Sequence, residues 1–272
     1  MISRSIPGAW LAIAMLFSPA SLSAETVPGG IAKLSIASIE KPVATYQGKK
    51  VMVLPRNDQW QAIIGIDLNA KTGRHELMIS TPGRQETLVF EVKDKEYEAQ
   101  YITIKDKRKV NPNPLDMERI NRDREAINGA RATWSSIDLP DVGLQLPVKG
   151  RISSPFGLRR FFNEQARKPH SGLDIAAPLG TPIRAAAGGE VIATGDYFFN
   201  GRTVFIDHGQ GLITMYCHMD SIDVTPGQAV GKQDNIGTVG KTGRVTGAHL
   251  HWSVMLNQVM VNPLLLVDSP EL

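Results

Sequence analysis

The sequence predicts a mainly β protein with a small N-terminal β module, a helical connector and a C-terminal β domain. Three observations carry that expectation. Residues 31–104 break into short β-type runs separated by turn formers, residues 114–133 keep a helical pattern, and from Leu146 onward the chain changes to glycine, proline and short β-type segments. The boundaries read as 1–24 for an export signal, 25–109 for the first module, 110–145 for the connector and 146–272 for the second domain. At 272 residues, 42% hydrophobic and 21% charged, the chain exceeds one ordinary core and has a globular balance, which excludes a disordered or fibrous protein.

At the start, Arg4 supplies a positive charge, residues 9–17 form an apolar run, Pro19 breaks it, and Ser21-Leu22-Ser23-Ala24 offers small residues for cleavage. The mature chain is therefore expected to begin near Ala24 or Glu25, in the periplasm. The run is too short to span a bilayer comfortably, so no membrane anchor is expected after cleavage. Cys217 is the only cysteine, which rules out an intrachain disulfide. A net charge of +3, without a Lys/Arg block interleaved with aromatics, gives nucleic-acid binding no support.

Strands are expected at 31–39, 50–54, 60–66, 74–80, 87–92 and 100–104, with turns at Gly48, Asn57-Asp58, Lys71-Thr72-Gly73 and Pro82-Gly83. Alternation in 75–79 and 88–92 is imperfect and leaves open which faces are buried. His75 has no second ligand near it and is given no catalytic role. Asn113 then caps a helix with Pro114 in its first position and Asp116 and Glu118 in its first turn. The helix should run to about Thr133, and a stripe of Ile120, Ile127 and Trp134 makes it a packed connector. Beyond it, 178–191 and 226–240 resemble each other as turn, strand, turn, strand, a short internal duplication.

Five of the six histidines lie between His170 and His251. Alternate residues of a strand share a face, so His249 and His251 can both look into one site. His170 and Asp174 are four apart in a glycine-containing segment where a bend can bring both to one ion. Two ligands from one local segment and a third from a distant strand suit a catalytic zinc, which takes three protein ligands and keeps one position open.

His170-Ser171-Gly172-Leu173-Asp174-Ile175-Ala176-Ala177-Pro178 resembles the H-x-x-x-D segment of the LytM/lysostaphin-type zinc endopeptidases, which cut peptide cross-links or stems of peptidoglycan. Gly243 to Trp252 is similar to their G-x-x-x-G-x-H-L-H segment, and Tyr216-Cys217-His218-Met219 to their Y-x-H-L segment. The resemblance covers about Leu146 to Pro263, and the upstream module and helix also look like the N-terminal region of secreted Gram-negative members. It implies a LytM-type β domain built on a duplicated hybrid motif. It also implies that His170, Asp174 and His251 bind Zn²⁺, with His218 and His249 as the unligated catalytic pair, their division of labour open.

Two positions depart from the pattern. Cys217 replaces a small residue and is expected to pack as a buried hydrophobe facing away from His218, and Met219 stands where leucine is usual. His208 is expected to hold a turn, and Arg159, Asn163 and Tyr197 are the candidate substrate contacts. The expected partner is a peptidoglycan peptide, cut at D-alanyl to meso-diaminopimelate bonds, with glycyl bonds or stem peptides as alternatives. A non-catalytic LytM-type activator of cell-wall amidases is the rival reading, and a zinc endopeptidase for protein substrates a third. The N-terminal module and helix are expected to regulate access to the groove.

Overall fold

The structure, a computed structural model, describes residues 25–138 and 140–268; the expected export signal lies outside them. In the first module, β1 (Ile31–Ile36), β2 (Val43–Tyr46), β3 (Lys49–Arg56), β4 (Gln59–Gly65), β5 (Gly73–Thr81) and β6 (Arg84–Val92) form one antiparallel sheet, ordered β1-β4-β3-β2-β5-β6. Its tight turns use the residues that tolerate a left-handed backbone: Gln47 and Gly48 have φ of 49° and 76°, and Asn57 and Asp58 have 47° and 58°. The uncertain alternation has a structural reason. In β1, β3 and β4 both faces are covered: Ala32, Val51, Val53, Ala62 and Ile64 pack into the module's own core, while Ile31, Met52 and Ile63 join the core of the second domain. The two modules thus share one buried cluster.

The strand expected at 100–104 forms as β7 (Ala99–Ile102), but it leaves the first sheet and pairs in parallel with β9 of the second domain. The helix α1 (Pro114–Arg131) begins as expected, with an Asn113–Asp116 capping box and Pro114 in the first turn. It ends at Arg131, just short of Thr133. Ile127 and Ala130 pack against Phe205, Met215 and Met255 on the outer face of the large sheet.

That domain contains β8 (Arg151–Ser154), β9 (Arg159–Phe162), β10 (Gln165–Ala166), β11 (Leu173–Ala176), β12 (Pro182–Arg184), β13 (Gly189–Tyr197) and β14 (Gly201–Gly209). It continues with β15 (Leu212–Ile222), β16 (Ala229–Val230), β17 (Asn235–Val239), β18 (Leu250–Leu256) and β19 (Val259–Val261). The main sheet runs β16-β13-β14-β15-β18-β11-β8. The similar segments noted in the sequence supply β12–β13 and β16–β17, and they pair crosswise, β12 with β17 and β13 with β16. A buried floor of Leu173, Ile175, Leu250 and Trp252 lies under the strands that carry the histidines.

Turns of this domain grip the first module. The Asn257 side chain accepts from the Gly65 N–H at 2.6 Å and donates to its carbonyl at 3.0 Å, and Gln210 Oε1 accepts from the Val53 N–H at 3.0 Å. Among the described residues, no helix is long and apolar enough to cross a membrane.

Candidate metal centre and active site

Strand register brings the site together. Asp174 on β11 sits opposite His251 on β18, so their side chains are cross-strand neighbours. His170 precedes β11 and is held by two backbone bonds, its N–H to the Leu158 carbonyl at 2.9 Å and its carbonyl from the Gly157 N–H at 2.8 Å. Gly172 is required between them, because a Cβ there would stand 2.6 Å from both His251 Nε2 and Ser253 Oγ. Asp174 Oδ1 lies 3.0 Å from His170 Nε2 and 2.7 Å from His251 Nδ1, and the two nitrogens are 3.1 Å apart.

The outer hydrogen bonds fix which atoms carry protons. His170 Nδ1 is 2.7 Å from the Pro155 carbonyl, which can only accept, so Nδ1–H donates and Nε2 keeps a lone pair. His251 Nε2 is 2.9 Å from Ser253 Oγ, a hydroxyl able to accept its proton, and Nδ1 is turned to the same point as His170 Nε2. Burial is the leading influence on His170 and lowers its pKa to about 4, which outweighs the pull of Asp174 and keeps the ring neutral. Burial alone would raise the Asp174 pKa, but the His170 and His251 rings beside it hold its carboxyl well below the usual carboxylate range, so the group is ionised. The His170 lone pair, the second imidazole nitrogen and an ionised oxygen therefore face one another at contact distance, an arrangement that suits a cation. Zinc–ligand bonds of about 2.0–2.1 Å in a tetrahedron separate donors by about 3.3 Å, so the trio fits such an ion with small adjustments.

The other carboxylate oxygen has a different partner. Arg160 Nη2 donates to Asp174 Oδ2 at 2.8 Å and to Ser154 Oγ at 3.2 Å, and its Nε reaches Gln100 Oε1 at 3.3 Å. The carboxylate is split in function, Oδ2 anchored to the fold and Oδ1 presented to the histidines. Sequence reasoning missed Arg160 and Gln100. Arg159 and Arg160 are adjacent on a strand, and alternation sends only one of them inward without saying which.

His218 and His249 stand beside this trio. Their ring centroids are 4.9 Å apart, and His218 is 5.9 Å from His251. His218 occupies the irregularity where β15 exchanges its pairing with β18 for pairing with β17, and its φ of 66° is left-handed, a conformation that costs a non-glycine residue about 1–3 kcal/mol. Its N–H to the Asn200 carbonyl and its Nδ1–H to the Thr242 carbonyl, at 2.8 and 2.9 Å, hold that conformation. Burial, with His251 and His249 nearby, keeps the His218 pKa well below its usual value, so the ring is a neutral base with Nε2 free. His249 precedes β18, donates Nδ1–H to the Gly247 carbonyl at 2.9 Å, and brings Nε2 to 3.9 Å from Asp174 Oδ1.

The remaining sequence candidates have fold contacts. Arg159 Nε donates to the Tyr97 carbonyl at 3.0 Å, and the Asn163 side chain pairs with both backbone groups of Ile104 at 2.8 and 3.1 Å. Both tie the β7 strap to β9 rather than lining the metal site. Tyr197 is buried against Phe205 and lines a cavity beside α1. Cys217 is fully buried with Phe205 and Met215, and burial pushes its thiol up to about 12, as suits a packing residue. His208 Nδ1–H donates to the Gly188 carbonyl at 2.8 Å, with Nε2 2.8 Å from Thr214 Oγ1, in keeping with a structural role.

Residues 168–263 match the Peptidase family M23 and residues 24–95 its N-terminal domain. The chain is 42% identical over 126 residues to the DD-carboxypeptidase/endopeptidase Mpg of Neisseria meningitidis serogroup B, and 42% identical over 115 residues to the peptidoglycan DD-endopeptidase ShyA of Vibrio cholerae. Those stretches cover 46% and 42% of this chain, and only 29% and 27% of the relatives. A crystal structure of a candidate M23 peptidase from Pseudomonas aeruginosa superposes with a TM-score of 0.78 at 40% identity, covering 91% of this chain and 97% of that one. With both parts matched and that likeness running nearly end to end, the chain belongs to peptidase family M23.

Proposed function

We propose that this chain is a zinc-dependent endopeptidase that hydrolyses peptide cross-links of peptidoglycan, at D-alanyl to meso-diaminopimelate bonds, in the periplasm. The convergence of His170 Nε2, Asp174 Oδ1 and His251 Nδ1 carries the reading. The names of the relatives, a peptidoglycan DD-endopeptidase among them, support the substrate. The periplasmic location rests on the export signal expected at 1–24.

His170, Asp174 and His251 are the residues that hold the zinc. When bound, it lowers the pKa of a coordinated water toward 7 and polarises the scissile carbonyl. His218 and His249, each with Nδ1–H committed to a backbone carbonyl, keep Nε2 as a base. The pair accepts the water's proton, returns it to the leaving amine and donates a hydrogen bond to the developing oxyanion. Arg160 holds Asp174 so that Oδ1 faces inward. A non-catalytic amidase activator has no use for such a full set of ligands and bases, which favours the enzyme reading over it.

Incubation of the purified chain with a defined muropeptide dimer, followed by mass spectrometry, tests the proposal. Monomers released at the D-alanyl to meso-diaminopimelate bond are expected, and Asp174→Ala should release none. An intact dimer with zinc-loaded wild-type protein would reject the reading.

A further inference from the structure

A cavity of about 580 Å³ opens between α1 and the turn joining β13 to β14. Its lining includes five cationic side chains, Arg124, Arg131, Arg167, Lys168 and Arg244, and one carboxylate, Asp123. That carboxylate is already engaged, since Oδ2 accepts the Phe198 N–H at 2.7 Å and lies 3.9 Å from Arg119. Ile120, Ile127, Tyr197 and Phe199 give the cavity an apolar side.

Among the described residues none of the five cations forms an ion pair, and the carboxylate charge of Asp67 acts on Arg131 only from a distance. Arg131 donates to the Gln258 carbonyl at 2.8 Å, Arg167 to the Val110 carbonyl at 3.0 Å and to Asn111 and Gln165, Arg244 to the Lys109 carbonyl at 3.3 Å, and Arg124 to Asn121 at 3.3 Å. Arg167 Nε is buried with no hydrogen-bond partner at all. Arg244 lies between two phenyl rings, 4.7 Å from the Phe162 centroid and 4.3 Å from Phe199. Burial lowers its pKa to about 10, and the positive charges of Arg160 and Arg167 add to that effect. Partly buried guanidinium groups among like charges are costly unless an anion joins them, and a carboxylate satisfies their planar fork with two bonds.

The cavity adjoins the metal centre. Its wall residue Asn200 accepts the His218 N–H at 2.8 Å, and Phe199 accepts the Arg244 N–H at 2.9 Å. The charge of Arg160, whose Nη2 holds Asp174, also acts on Arg244, so the cavity and the metal centre share one electrostatic neighbourhood.

We infer that this cavity is a substrate subsite for an acidic peptide, a carboxylate of the stem seated on Arg167 and Arg244 with apolar portions against Tyr197 and Phe199. The inference rests on the peptidoglycan reading and extends it to a chemical preference, carboxylate over carboxamide. It also gives Tyr197 a place near substrate, in the wall of the cavity beside α1.

The test is isothermal titration of the zinc-loaded protein with an uncross-linked stem tetrapeptide, which has no cross-link to cut, in its free-acid and fully amidated forms. The acid should bind about tenfold more tightly, the difference one charge-assisted bond supplies. Arg167→Gln and Arg244→Gln should each bring the acid down to the level of the amide. Arg244→Lys, which keeps the charge, should retain part of the preference and controls for loss of the aromatic sandwich, with thermal melts confirming that each variant is folded. Equal binding of acid and amide by the wild type overturns the inference, whether or not cross-links are cut. So does a preference that survives in both folded Gln variants. Acid-selective binding without cleavage of the dimer instead upholds the subsite and rejects the peptidase reading.

Discussion

Arg160 and Asp174 are joined by a single 2.8 Å bond from Nη2 to Oδ2, and that bond decides which oxygen of the carboxylate faces His170 and His251. Partners of this kind, which orient a ligand without touching the ion, typically change metal affinity by about 10–100-fold when removed. Arg160→Gln should therefore weaken zinc binding by about that factor in a chelator competition, with the fold intact by circular dichroism. An unchanged affinity would mean that β11 alone orients the carboxylate.

Ligands and bases should fail differently. His170→Ala, Asp174→Ala and His251→Ala are expected to lose bound zinc by elemental analysis and to lose activity with it. His249→Ala and His218→Ala should keep zinc at wild-type stoichiometry while hydrolysis falls by about a hundredfold to ten-thousandfold, the range of general acid–base catalysis. Zinc loss in His249→Ala would move that residue onto the metal.

Acid should destabilise the chain through His208. Burial lowers its folded pKa, against the weaker opposing effects of the Gly188 carbonyl, Asp207 and Asp141. A depressed histidine contributes stability that is complete above the unfolded value of about 6.5 and is lost as pH falls towards the folded value. Each proton taken up only by the unfolded chain steepens that loss by about 1.4 kcal/mol per pH unit. Urea melts between about pH 7.5 and about pH 5 should show His208→Asn less stable than wild type at the upper end and less sensitive to acidification. A slope equal to wild type would assign the acid sensitivity elsewhere.

The shared core predicts one cooperative unit. Ile63→Ala removes a side chain that belongs to the second domain's cluster although it lies in the first module, and should cost about 2–5 kcal/mol. Calorimetry should record a single transition shifted to lower temperature. Two separate transitions would show that the modules melt independently.

A fragment beginning at Leu146 lacks β7, Gln100 and the strands covering the shared core. It should bind zinc more weakly than the full chain and aggregate more readily. Regulation of access by the upstream module makes a different prediction, a soluble fragment that digests purified cell wall faster. Equal digestion by full chain and fragment would remove both roles.

The amino-acid sequence by itself determined the mainly β class and the capped helix at Pro114, because each is written locally, and its motifs singled out five residues that the fold draws together. Asn113 and Asp116 close a cap within one turn, and His170 with Asp174, and His249 with His251, sit within a few residues of their partners in chemistry. Only the tertiary structure decided that Arg160 rather than Arg159 turns to the carboxylate, and that β7 leaves its module to pair with β9. Only the tertiary structure covers β1, β3 and β4 on both faces. In each case the choice depends on a partner far away in the chain. A strand's pattern of alternation has two possible phases, and its free edges can pair with any matching strand. Which phase and which edge are used is set by the burial and hydrogen bonds that the distant partner offers.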